Sequence, residues 1–284
     1  MFNGDLKKNA LEQLEKSRKR QVLLAAEVEK GCTELHGVRH QVSTDLMRKV
    51  EGYIETLANK PKEFEKSYQA FKAEGRSFCT LVDKLKIEAD KVEFTAGSSA
   101  AAGVAAGVGT AAFAPTAAMA VATTFGTAST GAAISGLSGA AATNAALAWL
   151  GGGAIAAGGG GGGMSAGSAL LALAGPIGWG IGATALVGGG LYARSKNKQI
   201  AEEADGHRAQ IEVSIRKLNV AKEWVTRMIG STVQHANGVS ELLGVLVRTA
   251  PRNYQQFDTG QKDMLGALIN HMNALGPLLN KAPQ

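Results

Sequence analysis

Cys32, His36 and His40 fall at four-residue intervals, so on a helix they would share one face. Side chains at that spacing can hold a metal ion, but three ligands without a fourth make a poor structural zinc site. The expected reading is a half-exposed polar edge of a helix, with no metal. The run Gly158–Gly163 invites comparison with a loop that cradles phosphates. That chemistry needs a lysine and then Ser or Thr after the glycines, because the lysine meets the phosphates. Here Met164 and Ser165 follow, no lysine occurs before Lys196, and no strand is predicted ahead of the run. No nucleophile elbow and no HExxH pair occurs either. His207 falls on an apolar stripe and is expected to be a satisfied core histidine. His235 and His271 have no partner close in sequence. The chain is expected to be no enzyme and to need no cofactor.

The elements that carry these residues are helices. Leu24, Val28, Leu35, Val38, Val42, Leu46, Val50, Ile54 and Leu57 repeat at helical spacing, with Gly31 and Gly37 as places to bend or split the helix. Asn59–Lys60–Pro61 marks a boundary, since proline suits the first turn of a new helix. Phe64, Tyr68, Phe71, Gly75, Phe78, Val82, Leu85, Ala89 and Val92 then alternate by four and three, a heptad seam in which Gly75 admits a close neighbour. Together they predict a helical hairpin packed in a bundle. Far downstream, Ile200, Ala204, His207, Ile211, Ile215, Leu218, Val225 and Met228 form another stripe, followed by a further segment around Val233–Val247. Pro251 and Asn253 predict a break. Asp258 with Gln261 resembles a capping box, ahead of a last helix lined by Met264, Leu268, Met272, Leu275 and Leu279. No segment alternates with period two, so the fold class is all-α, with helices reaching roughly 50–80 Å at about 1.5 Å per residue.

Between these flanks, Phe94–Ala193 is one hundred residues without Asp, Glu, Lys, Arg or His. Soluble domains place charge on their recurrent surface turns, whereas a hydrocarbon core about 30 Å thick needs roughly 20 apolar residues per helical pass. The chain therefore divides into an amphipathic N-terminal part (1–93), an uncharged membrane-inserting tract (94–193) and an amphipathic C-terminal part (194–284) that packs on the first. Candidate spans are Ala100–Thr124, Ala132–Leu150 and Met164–Ala193, with Gly151–Gly163 as a hinge. The tract holds 25 of the 37 glycines, and Ala and Gly gain less from hydrocarbon than Leu, Ile, Phe or Val. Gly103 with Gly107, and Gly178 with Gly182, have the four-residue spacing that lets helix backbones approach closely in lipid. Trp149, Trp179 and Tyr192 are expected at the membrane–water interface, and Arg194, Lys196 and Lys198 close the tract with positive charge.

Charge outside the tract is mixed. Residues 1–93 carry 18 Lys and Arg against 16 Asp and Glu, and 194–284 carry 12 against 8. Such faces are solvated helix surfaces. With no concentrated basic stripe and only 5% aromatics, nucleic acid is not an expected partner. Cys32 and Cys79 are read as free thiols of a reducing compartment. The first twenty residues lack the apolar core of a signal peptide, so synthesis in the cytoplasm is expected, followed by membrane association or export through a dedicated system.

Long amphipathic helices on both sides of an uncharged, glycine-rich centre resemble the α-helical pore-forming proteins of the cytolysin A type. That resemblance implies a central segment sheltered in one state and inserted when protomers assemble a pore. The stretch Ile134–Gly153 also resembles a segment of bacterial glycine-zipper membrane proteins. The expected function is a pore-forming or membrane-permeabilising toxin or defence effector. Its partners would be a lipid bilayer, further copies of the chain as a homo-oligomer, and a partner protein met through the amphipathic helices. The alternative is a constitutive inner-membrane coiled-coil scaffold without pore activity.

Overall fold

The apolar stripes of both flanks form helices, and the fold is all-α. The computed structural model describes residues 2–96, 120–121, 123–125 and 196–283. Among these there is no strand, only one isolated parallel bridge between Ala58 and Asn253. Helix α1 (Phe2–Gln41) runs unbroken through Gly31 and Gly37, where a bend was expected. A glycine in a helix interior costs only about 1 kcal/mol relative to alanine, and packing outweighs it. A Cβ on Gly31 would stand 2.9 Å from Cγ1 of Val225, so this glycine serves close approach of a neighbour. The interruption comes later, as a π-helical turn over Val42–Leu46, before α2 (Met47–Thr56) completes the rod. Asn59 takes a left-handed conformation (φ 52°), which asparagine tolerates, and α3 (Lys62–Ala96) starts directly after Pro61.

Helix α4 (Lys196–Thr249) is a single helix of 54 residues, about 80 Å long. The separate segment expected around Val233–Val247 is its second half. The chain breaks at Pro251, as expected, and forms a short 3-10 turn at Tyr254–Gln256. Helix α5 (Thr259–Leu279) opens on the expected capping box: Gln261 N donates to Asp258 Oδ1 at 2.7 Å, and Asp258 N donates to Gln261 Oε1 at 3.1 Å.

The helices make two antiparallel hairpins. In the first, Tyr53 meets Phe64 (ring centroids 6.3 Å) and His36 meets Phe78 (5.4 Å). In the second, Gln261 Nε2 donates to Thr249 O (3.0 Å), and His235 meets His271 further along. The hairpins dock side by side with α1 parallel to α4. Ser17 donates to Glu212 (2.9 Å), Lys222 to Glu27 (2.7 Å), and Gly31 faces Val225, a steady offset of about 195 residues. The two tips are tied by Ala58 N donating to Arg252 O (2.7 Å), Tyr254 N to Ala58 O (3.0 Å), and Asn59 Nδ2 to Asn253 Oδ1 (3.1 Å). Since α3 runs away from the tips and α4 runs toward them, the chain leaves α3 and enters α4 from the same direction.

Two cores follow. Around the tips, Val50, Phe64, Phe71, Leu246, Leu268, Met272 and Leu275 are enclosed by α2, α3, α4 and α5. Toward the other end, Leu14, Val28, Leu35, Ile211, Ile215 and Leu218 close the interface of α1 with α4.

Candidate functional site

Beyond Phe94–Ala96, which end α3, the described residues of the uncharged tract lie at that second core. Ala120, Val121, Thr123, Thr124 and Phe125 are helical and all buried. Ala120, Val121 and Phe125 share a cluster with Val28, Cys32 and Leu35 of α1 and with Leu218 and Val225 of α4. The Phe125 ring lies 5.9 Å from that of Trp224, tilted by 54°. Of the two polar side chains that enter, Thr123 donates from Oγ1 to Ala120 O at 3.2 Å, while the enclosed Thr124 hydroxyl has no well-formed hydrogen bond and lies beside the Cys32 thiol. Burial pushes that thiol up to about 12, with Thr124 pulling the other way. A thiol with so little thiolate character reacts slowly, so Cys32 is a packing residue here.

One turn and two turns beyond Cys32 the interior becomes polar. His36 is buried beside Phe78, and its Nδ1 has no partner. Burial first, then His40 and Arg39, pull its imidazole down to about 4, so it is neutral at pH 7. Arg39 is 1% exposed. Its Nη2 donates to Lys281 O at 2.7 Å, while Nε is enclosed without an acceptor. Burial draws the guanidinium down to about 10. No carboxylate meets it among the described residues. Its compensation is the C-terminal end of α5, where unpaired carbonyls carry partial negative charge. The expected half-exposed edge of Cys32, His36 and His40 is thus corrected: the first two are enclosed and His40 alone is exposed. Burial of position 39 was readable from its place between Leu35 and Val42 on one stripe, but an arginine there masks the signal.

His207 is half-buried on α4 rather than enclosed in the core. His235 and His271, 36 residues apart, meet across α4 and α5 with Nδ1 atoms 3.0 Å apart. Sequence spacing held no sign of this pair, because the α4–α5 hairpin alone sets its register. Among the described residues, no three His, Cys, Asp or Glu side chains converge on one point.

Of the membrane residues read from the sequence, Lys196 begins α4, and Lys198 Nζ lies 3.7 Å from Glu202 Oε1 in an exposed pair one turn apart. Gly103, Gly107, Gly178, Gly182, Trp149, Trp179, Tyr192 and Arg194 lie outside the described residues, as do the spans Ala132–Leu150 and Met164–Ala193 and most of Ala100–Thr124. Among the described residues no helix is long and apolar enough to cross a membrane. No protein-family model, curated protein or solved structure matches the chain.

Proposed function

We propose that this protein permeabilises membranes: it holds part of its uncharged tract between α1 and α4, and transfers the tract into a bilayer as copies assemble. The observation that carries this reading is the burial of Ala120, Val121 and Phe125 against both flanks. An uncharged segment of weak intrinsic hydrophobicity, enclosed by amphipathic helices, has two environments open to it. Removing Val121 and Phe125 from their enclosure forfeits about 1.5–3 kcal/mol each. Hydrocarbon restores most of that, while water does not. The exchange is therefore close to balanced, and packing between copies can tip it. Gly103 with Gly107 and Gly178 with Gly182 are the proposed sites of that packing.

The common direction from which the chain leaves α3 and enters α4 favours an even number of passes. The simplest arrangement is a hairpin with walls Ala100–Thr124 and Met164–Ala193. Trp149, Trp179 and Tyr192 would then serve as interfacial anchors, and Arg194, Lys196 and Lys198 would stay with the aqueous flank.

The test uses the neighbour of Cys32. Thr124→Cys in a Cys79→Ser background places two thiols face to face. Oxidation to the disulfide should abolish dye release from liposomes, and reduction should restore it. Release that ignores the cross-link would remove the tract's exit from the mechanism. Absence of release by the native protein, with persistent membrane attachment, would favour the scaffold. Replacing either glycine pair by leucine should lower oligomer yield without lowering expression.

A further inference from the structure

We propose that His235 and His271 form a proton-sensitive latch, which fastens α4 to α5 until both rings are protonated and then lets the two helices part. The geometry sets the rule. With Nδ1 atoms 3.0 Å apart, one ring must donate its N–H and the other must accept with a bare nitrogen. A first proton can settle on Nε2 of the donor ring. It leaves the bond in place and makes it charge-assisted. A second proton has to land on the accepting Nδ1. Two N–H groups then point at each other, two positive rings lie in contact, and the bond between the helices becomes repulsion.

The rings have little room to turn aside. Their centroids are 5.2 Å apart at 62°, edge to face. His271 also occupies the space that a Cβ on residue 238 would fill, so it rests on the backbone of α4 at Gly238. Among the described residues, no charged group bonds either ring. On α4, the residues one turn either side of His235 are Ser231, Thr232, Gly238 and Val239. On α5, those around His271 are Ala267, Leu268, Ala274 and Leu275. On the rod of α1 and α2 the nearest charged positions by register are Arg39, His40 and Asp45, and on α3 the nearest is Lys66; Arg39 is enclosed and donates to Lys281 O, the other three are exposed, and none bonds either ring. Burial, and then His271, lower the affinity of His235 for a proton. The latch therefore opens below the ordinary histidine range, which lies near pH 6.5. Among the described residues no third ligand joins the two histidines, which leaves the proton, not a metal, as the species the pair is built to sense.

The latch does not rest on the membrane reading, and its test needs no lipid. Spin labels at Gln234→Cys and Asn270→Cys, both exposed, would report the α4–α5 separation in full-length Cys79→Ser protein, where enclosed Cys32 stays unlabelled. The expected result is a constant distance at about pH 7.5 that lengthens reversibly at about pH 5 with helicity retained. His235→Gln and His271→Gln should each keep the short distance at both values, because glutamine can bond either form of the remaining histidine. Circular dichroism at about pH 7.5 certifies each variant, and either one suffices. An unchanged distance in the native protein would overturn the latch. So would the same lengthening in a folded variant, which would assign the opening to His36, or a loss of helicity that coincides with the lengthening.

Discussion

Around the hairpin tips, four helices close a core from their own side chains, whereas toward the other end α1 and α4 share theirs with Ala120, Val121 and Phe125 of the tract. The tip half has Phe64, Phe71 and Leu246 wholly enclosed and is pinned by the Ala58–Asn253 bridge. Among the described residues, the large apolar side chain it exposes is Val247. The far half exposes Leu6, Val22, Leu23, Val213 and Val220, with Leu23 68% and Val220 65% accessible. A half that completes itself can keep its shape while the other exchanges partners. The proposed release of the tract is thus a change in half of the molecule, with the other half as its fixed frame.

The largest test of this contrast compares two phenylalanines. Phe71→Ala should cost about 3–5 kcal/mol in urea denaturation, because its surroundings cannot collapse into the cavity. Phe125→Ala should cost less than about half as much, since the piece that bears it can vacate its place. Equal losses would break the comparison. The seam between the halves is next. His36 is held neutral when folded, so the unfolded chain takes up its proton first as pH falls. Stability should decline from the ordinary histidine value near 6.5 down to about 4, by about 3 kcal/mol in total. His36→Phe should flatten most of that slope in denaturation curves recorded across the range. In the far half, Gly31→Ala drives a methyl into Val225 and should cost about 1–2 kcal/mol. Adding Val225→Ala should return part of it, and a double-mutant cycle without coupling would mean that the two helices are looser there than drawn. At the tips, Asp258→Ala removes the capping acceptor and should cost about 1 kcal/mol, read as a shift in thermal midpoint.

Local chemistry was legible where it decides local structure. The Asp258–Gln261 box, the boundary at Asn59–Pro61 and the seam through Phe64, Tyr68, Phe71 and Phe78 depend on residues within one or two turns, and a single sequence contains them. The π-helical turn at Val42–Leu46 was not legible, since it adjusts the rod to neighbours on α3 and α4. The continuity of α4 past Gly230 and Gly238 was hidden for a related reason. Those glycines weaken a helix by propensity, and the partners that keep it helical come from far away in the chain. The meeting of Trp224 with Phe125 and that of His235 with His271 are set by packing register alone. The enclosure of Arg39 had a positional signal, but a charged residue type argues against burial unless the terminal carbonyls of α5 are known to be waiting.

The parallel docking of α1 with α4 has a consequence for the birth of the chain. Each contact in that interface joins residues about 195 positions apart. Loop closure at such separation is slow. At a synthesis rate of about 5–20 residues per second, α4 emerges ~10–40 s after the α1 residues it must cover. Throughout that interval the face of α1 that α4 covers is bare, and the uncharged tract emerges within it, ahead of α4. The nascent chain thus passes once through an exposed state like the one proposed for the assembling protein. A chaperone or a nearby membrane that captures it then meets the tract before α4 does.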